Sequence, residues 1–333
     1  MTVMRVERVV YGVPNLDECA RFFTDFGLEP LGGGTGSGGA GGTGGEGGTG
    51  GAGGTGGEGG TGGEGGTGGE GGIRTVRFGT QTGQVVELRD AADPTLPPPV
   101  QAGPTLREIV WGVDTQESLD QLAMNLLADR PVSTDAGGTA HTVDEAGFGV
   151  GLTVSQPVTR PLRYPGSNQP GNVNRWNEPL RHPGRVRPLR LCHVALDIEK
   201  AGKDEAVAFY TGRLGFVPTD RPAKVGVFMR APGDTDHHTL LLCHRPDRNQ
   251  VNHCAYEVAR LDEVIVGAND MIDRGWHEAR RLGRHTVGSN VFRFIHAPCG
   301  GRVEFAADMD RVDDSYGPND YEETPPHTIW TLR

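Results

Sequence analysis

Two histidines and a glutamate carry the chemistry this sequence offers most plainly. His193 lies in the apolar segment Cys192-His193-Val194-Ala195-Leu196, and His253 opens His253-Cys254-Ala255-Tyr256-Glu257. Glu304 lies in Arg302-Val303-Glu304-Phe305-Ala306. Side chains of an extended strand alternate between its two faces. Cys192, Val194, Leu196 and Ile198 are therefore expected on the packed face, and His193, Ala195 and Asp197 on the other. The same parity groups His253, Ala255 and Glu257, and sets Glu304 with Ala306 opposite Val303 and Phe305. Each candidate thus has an alanine two residues later on its own face, which leaves room between strands. Two imidazoles and one carboxylate on facing strands form the ligand set that suits non-haem Fe(II) with open coordination positions. Mn(II) accepts the same donors.

The elements that must position these groups recur. An apolar strand, a short turn, an amphipathic helix and further strands appear four times, opening at Arg8–Val13, Glu108–Val113, His193–Ile198 and His253–Val258. Helical spacing follows each strand: Leu16, Cys19, Ala20 and Phe23; Leu119, Leu122, Ala123 and Leu126; Val207, Tyr210 and Leu214; Leu261, Val264, Ala268 and Met271. Four such βαβββ modules are an internal repeat. They predict an α+β fold in which modules pair into two domains, each a cup-shaped open β-barrel with its helices outside. Residues 1–156 and 189–310 are the expected domains. A linker rich in Pro, Asn, Arg and Gly (157–188) joins them, and 311–333 is a tail. The tract 32–72, built on GGTGGE, cannot bury enough apolar area to offset the entropy of ordering. It reads as a disordered insertion with no chemistry of its own.

Repeat symmetry strengthens the metal reading, because His193 and His253 occupy one position of two successive modules. The N-terminal modules carry Arg8 and Glu108 there, so metal is expected only in the C-terminal domain. Arg8 and Glu108 are expected to pair across the N-terminal cup.

Over 333 residues the formal net charge of -11 argues against nucleic acid and anionic membranes as partners. No window approaches the ~18 apolar residues of a spanning helix, and no signal peptide is evident. The five cysteines form no CxxC pair, which points to a reducing, cytoplasmic setting.

On these residues the C-terminal half resembles the type I extradiol ring-cleaving dioxygenases of the vicinal oxygen chelate (glyoxalase/bleomycin resistance/dioxygenase) superfamily. In that family the ligands begin two repeats and end the fourth, as His193, His253 and Glu304 do. The family's acid–base histidine lies in a His-His-Ser/Thr run, here His237-His238-Thr239, so the resemblance implies that role for His238. Parity with Leu240 and Leu242 is expected to point it inward. Gly283-Arg284-His285, Phe292-Arg293-Phe294 and Pro298-Cys299-Gly300 match the last family signature. His285 is then expected beside the bound substrate or oxygen, with Asn290, Phe294 and His296 as substrate contacts. Arg293 stands where the family has an apolar residue. Phe294 replaces a tyrosine, and the tail, with Tyr316, Tyr321, His327 and Trp330, is a candidate source of the missing phenol. The resemblance implies Fe(II)-dependent cleavage of a catechol-type ring with O2, in a homo-oligomer. Two alternatives stand: an isomerase, lyase or thiol-dependent transferase of the same superfamily, commonly using a second glutamate, and a non-catalytic binding or resistance protein.

Overall fold

The computed structural model describes residues 2–32, 74–159, 164 and 166–333; apart from Gly32, the glycine tract lies outside them. The N-terminal sheet comprises β1 (Val3–Val13), β2 (Glu29–Leu31), β3 (Thr75–Gly79), β4 (Val85–Asp90), β5 (Thr105–Val113), β6 (Ser133–Thr134), β7 (Ala140–Val143) and β8 (Gly149–Val154). Their order is β2-β3-β4-β1-β5-β8-β7-β6. The C-terminal sheet comprises β9 (Arg190–Glu199), β10 (Val217–Pro222), β11 (Gly226–Arg230), β12 (Leu240–Arg245), β13 (Gln250–Glu257), β14 (Glu278–His285), β15 (Val291–His296), β16 (Arg302–Ala307), β17 (Asn319–Tyr321) and β18 (Thr328–Thr331). Its order is β17-β10-β11-β12-β9-β13-β16-β15-β14-β18. Both sheets are open. The expected separate tail instead supplies the two edge strands of the second sheet, because β17 pairs with β10 and β18 with β14.

The four helices α1 (Leu16–Phe26), α2 (Gln116–Leu127), α3 (Lys203–Ala208) and α4 (Leu261–Asp273) lie outside the cups. Asn15 caps α1 by accepting from the Glu18 amide, and Gly27 ends it in the left-handed region at φ 100°, where a side chain would be strained. Cys19, Phe22, Phe23 and Phe26 form its buried stripe. Its aromatic residues cross to the other half of the chain. Phe22 meets Trp276 edge-on at 4.9 Å, and Phe26 stacks on Phe305 at 4.1 Å and meets Tyr256 at 5.0 Å. Trp111 likewise packs on Phe216 at 4.8 Å, so one apolar core spans both sheets. We expect Phe26→Ala to cost about 3–5 kcal/mol by vacating this junction, read as a lowered midpoint in urea unfolding.

Strand register corrects one expectation. Between β9 and β13, Ala255 pairs with His193 but the next pair is Tyr256 with Leu191, so Cys192 is an extra, bulged residue. Leu191, Val194, Leu196 and Ile198 face the core, while Cys192 joins Ala255 and Ala306 in a separate cluster. Strict alternation fails because a bulge adds one residue and turns the strand. On β13, Asn252 is skipped between Val251 and His253 in the same way. Glu7 on β1 and Arg107 on β5 repeat the device in the other sheet. Each of these four bulged residues is followed directly by a side chain that enters a cup: Arg8, Glu108, His193 or His253.

Candidate metal centre

The bulges bring three ligand atoms together. His193 Nε2 lies 3.0 Å from His253 Nε2, and both lie 3.3 Å from Glu304 Oε2. Cis ligands on a six-coordinate metal at about 2.1 Å are separated by roughly 3 Å, so this triangle has the edges of one octahedral face. All three residues are buried, and among the described residues Glu304 Oε2 has no hydrogen-bond donor. An orphaned buried carboxylate oxygen facing two imidazole nitrogens fits a divalent cation. Burial pushes both imidazoles down to about 3, and the neighbouring Arg190 and His237 act on His193 in the same direction. Both rings therefore stay neutral, as metal ligation requires.

Neighbours fix the aim of these groups. Asn252 gives its amide Nδ2 to Asp197 (2.8 Å), which turns its oxygen toward His253 Nδ1 at 2.7 Å. The Nδ1 proton is thereby held, and the Nε2 lone pair of His253 is directed at the triad. Arg302 contacts the same Asn252 oxygen, and Asp197 is further held by Arg245 and Gln250. On the other side Asn290 donates to Glu304 Oε1 at 2.9 Å. Ala255, directly paired with Glu304, leaves the carboxylate room.

His238 does enter this cup, its ring 4.3 Å from that of His193, but not by strand parity. Leu240 and Leu242 pack in the main core, while Leu241 and Cys243 line the cup. His238 precedes β12, and Thr239 bonds Met229 and Ala231 through its amide and hydroxyl, so alternation does not propagate back to residue 238. Gly288, at φ 78°, closes over the pair: a Cβ there would sit 3.2 Å from His238 Cε1.

Behind His238 runs a chain that the sequence did not reveal. Its Nδ1 meets His237 Nδ1 at 3.1 Å, and His237 Nε2 meets Asp220 Oδ2 at 3.0 Å. Burial raises the Asp220 carboxyl, but the hydrogen bonds from His237 and Asn319 win and hold it below the usual carboxylate range. As an acceptor only, Asp220 takes the Nε2 proton of His237. The His237 Nδ1 contact in turn orients the His238 ring beside His193. Burial, with His193 and His237 nearby, keeps His238 well below the ordinary histidine range. The remaining histidine, His285, stacks on Phe292 at 4.0 Å with its Nε2 3.9 Å from Glu304 Oε1, and burial lowers it strongly too.

These groups open into a cavity of about 310 Å³, with Phe228, Leu241 and Val287 on one wall and Phe294, Arg280 and Arg302 on another. Phe294 therefore lies where a substrate contact was expected. Asn290 is fully buried behind Glu304 instead, and His296 is exposed at the end of β15, its amide bonded to His277, away from the lining. The tail covers the mouth through Thr324, Pro325, Pro326 and His327, yet brings no phenol to the cavity wall. Tyr321 donates to Asp220 at 3.3 Å, Tyr316 lies against His237, and Trp330 sits on an edge strand.

The N-terminal cup also departs from expectation. Arg8 and Glu108 line the same cavity but do not pair with each other. Glu87 on β4 takes Arg8 at 3.7 Å, and His141 on β7 takes Glu108 at 2.7 Å, because these strands offer nearer partners. Among the described residues the His193, His253 and Glu304 group is the one cluster with metal-ligand geometry, and no helix is long and apolar enough to cross a membrane.

The family model described as the Glyoxalase/Bleomycin resistance protein/Dioxygenase superfamily matches residues 202–305. Metapyrocatechase 2 of Cupriavidus necator is 38% identical over 128 residues, covering 38% of this chain and 39% of the relative. The match thus spans about two fifths of that curated relative's length. Among solved structures, BphC, a halotolerant catechol dioxygenase, aligns with a TM-score of 0.68 at 17% identity, over 100% of this chain and 95% of that chain. The Mn(II)-bound glyoxalase from Novosphingobium aromaticivorans aligns with a TM-score of 0.66 at 22% identity, over 98% and 88%. These likenesses agree with the four-module architecture: residues 202–305 match the Glyoxalase/Bleomycin resistance protein/Dioxygenase model, and the chain as a whole shares the fold of these solved dioxygenase and glyoxalase structures.

Proposed function

We propose that this chain is an extradiol dioxygenase that opens a catechol-type ring with O2, incorporating both oxygen atoms. The observation that carries the reading is the orphaned Glu304 oxygen facing two neutral imidazoles, with the His238 ring beside them. His193, His253 and Glu304 would hold Fe(II), or Mn(II) in its place. When bound, that metal supplies the redox link between diol and dioxygen. Everything else falls to the chain. His238 Nε2 takes a hydroxyl proton from the diol and returns it during ring opening. His285 steadies the reacting oxygens by hydrogen bonding, while Phe294 presents its ring to the aromatic substrate. The half-enclosed cup and its tail cover limit water around the reacting atoms. The same reading makes the N-terminal sheet a structural partner and the working form a homo-oligomer. A soluble, cytoplasmic setting completes it.

Oxygen uptake tests the proposal directly. Protein loaded anaerobically with Fe(II) is expected to consume O2 with an aromatic diol and release a yellow ring-fission product. One metal bound per chain, with no uptake across monocyclic, biaryl and acidic diols, would turn the reading toward an isomerase or lyase. Against that alternative, the triad contains a single glutamate, and among the described residues no second carboxylate lines the cavity to act as a base.

A further inference from the structure

We infer that the cavity selects diols carrying an anionic group, most directly a ring carboxylate, through a subsite formed by Arg280 and Arg302. The diol half of this statement rests on the dioxygenase reading; the anion half does not. Four cationic side chains line the cavity: Lys224, Arg245, Arg280 and Arg302. Arg245 is already paired with Asp197 at 2.9 Å. Among the described residues, neither Arg280 nor Arg302 has a carboxylate at ion-pairing distance. The polar partner of Arg302 is Asn252, through its backbone and side-chain oxygens. Two guanidinium nitrogens of Arg280 lie 3.3 Å from the two ring nitrogens of His327. A neutral imidazole accepts at one nitrogen only, so at most one of these contacts is a hydrogen bond.

Both guanidinium groups lie over one aromatic ring, that of Phe294, at 5.6 and 5.1 Å from its centre. Burial lowers both guanidinium groups below their usual range, and Arg302 acts further on Arg280 in that direction. A guanidinium nevertheless stays charged in a protein. Two partly buried like charges with no carboxylate in direct contact are an unfavourable arrangement that a bound anion relieves. A carboxylate suits the guanidinium fork, because its two oxygens accept parallel hydrogen bonds. Arg280 and Arg302 line the same cavity as the triad members His193 and His253. A diol with its oxygens toward His193, His253 and Glu304 can set its ring along Phe294 and its carboxylate between the arginines. The apolar wall of Phe228, Leu241 and Val287 covers the ring's other side.

Oxygen-free calorimetry on the full chain tests this, with and without Fe(II). A dihydroxybenzoate is compared with the matching dihydroxybenzamide, and benzoate with benzamide. The acids are expected to bind about tenfold tighter or more than the amides, with the preference shrinking as salt rises. Arg280→Gln should remove most of that preference, and Arg280→Lys should restore part of it. Equal or tighter binding of the amides by the unaltered protein overturns the subsite, whatever the variants do. A carboxylate preference without oxygen uptake from any diol leaves the subsite standing and refutes only the dioxygenase reading. Uptake with neutral diols, together with no preference for acids, refutes only the subsite.

Discussion

Replacing His253 by alanine is expected to abolish metal retention and oxygen uptake together. The change leaves two of three donors, His193 Nε2 and Glu304 Oε2, and deletes the ring that Asn252, Asp197 and Arg302 hold in place. Removing a group that only orients a ligand typically costs ~10–100-fold in affinity, and loss of the ligand itself must exceed that. Metal analysis after desalting should fall from about one ion per chain to background. Circular dichroism should remain unchanged, because His253 faces the cup and not the apolar core. A variant that still holds one metal and turns over would remove His253 from the ligand set.

His238→Ala should separate chemistry from metal binding. His238 touches His193 but points no nitrogen at Glu304 in the way the triad members do, so metal content is expected to stay near that of the parent. Loss of a positioned acid–base group lowers kcat by roughly 10²–10⁴-fold. Asp220→Asn is expected to act in the same direction and less strongly. It removes the charge that holds the proton on His237 Nε2 while leaving an oxygen there to accept it. Nitrogen-labelled histidine spectra of the metal-free protein would report the tautomer of His238 and show whether the effect travels through His237. A parent-like kcat in His238→Ala would assign the proton transfer elsewhere.

The repeat made the triad legible, because two histidines in equivalent positions of adjacent modules are hard to explain by packing. Glu304 followed from simple alternation on β16, where no bulge intervenes. Alternation misassigned Cys192 and placed His238 correctly for a reason that does not hold, since a bulge or a broken strand leaves no mark in composition. Asp220 was invisible because it sits on β10 while His237 lies in the bend before β12, and only the folded sheet brings them together. The same limit explains Arg8 and Glu108. Their positions in the cup were readable, but their partners Glu87 and His141 depend on pairings across the sheet. Asn290 and His296 were expected at the substrate, but Asn290 is buried behind Glu304 and His296 is exposed away from the cavity lining.

The bulges also say what a transplant of the centre into the other cup would demand. Register equates Arg8 with His193, Glu108 with His253, and Gly151 with Glu304. Three substitutions would therefore write the same ligand types onto a backbone already shaped to aim them. Yet a Cβ at residue 151 would meet Val110 at 2.8 Å, where the working cup has Ala255. The graft is thus a four-residue problem, with Val110 cut back to alanine to make space. Duplication left the aiming hardware in both halves of this chain, and a single small side chain separates the half that can seat the carboxylate from the half that cannot.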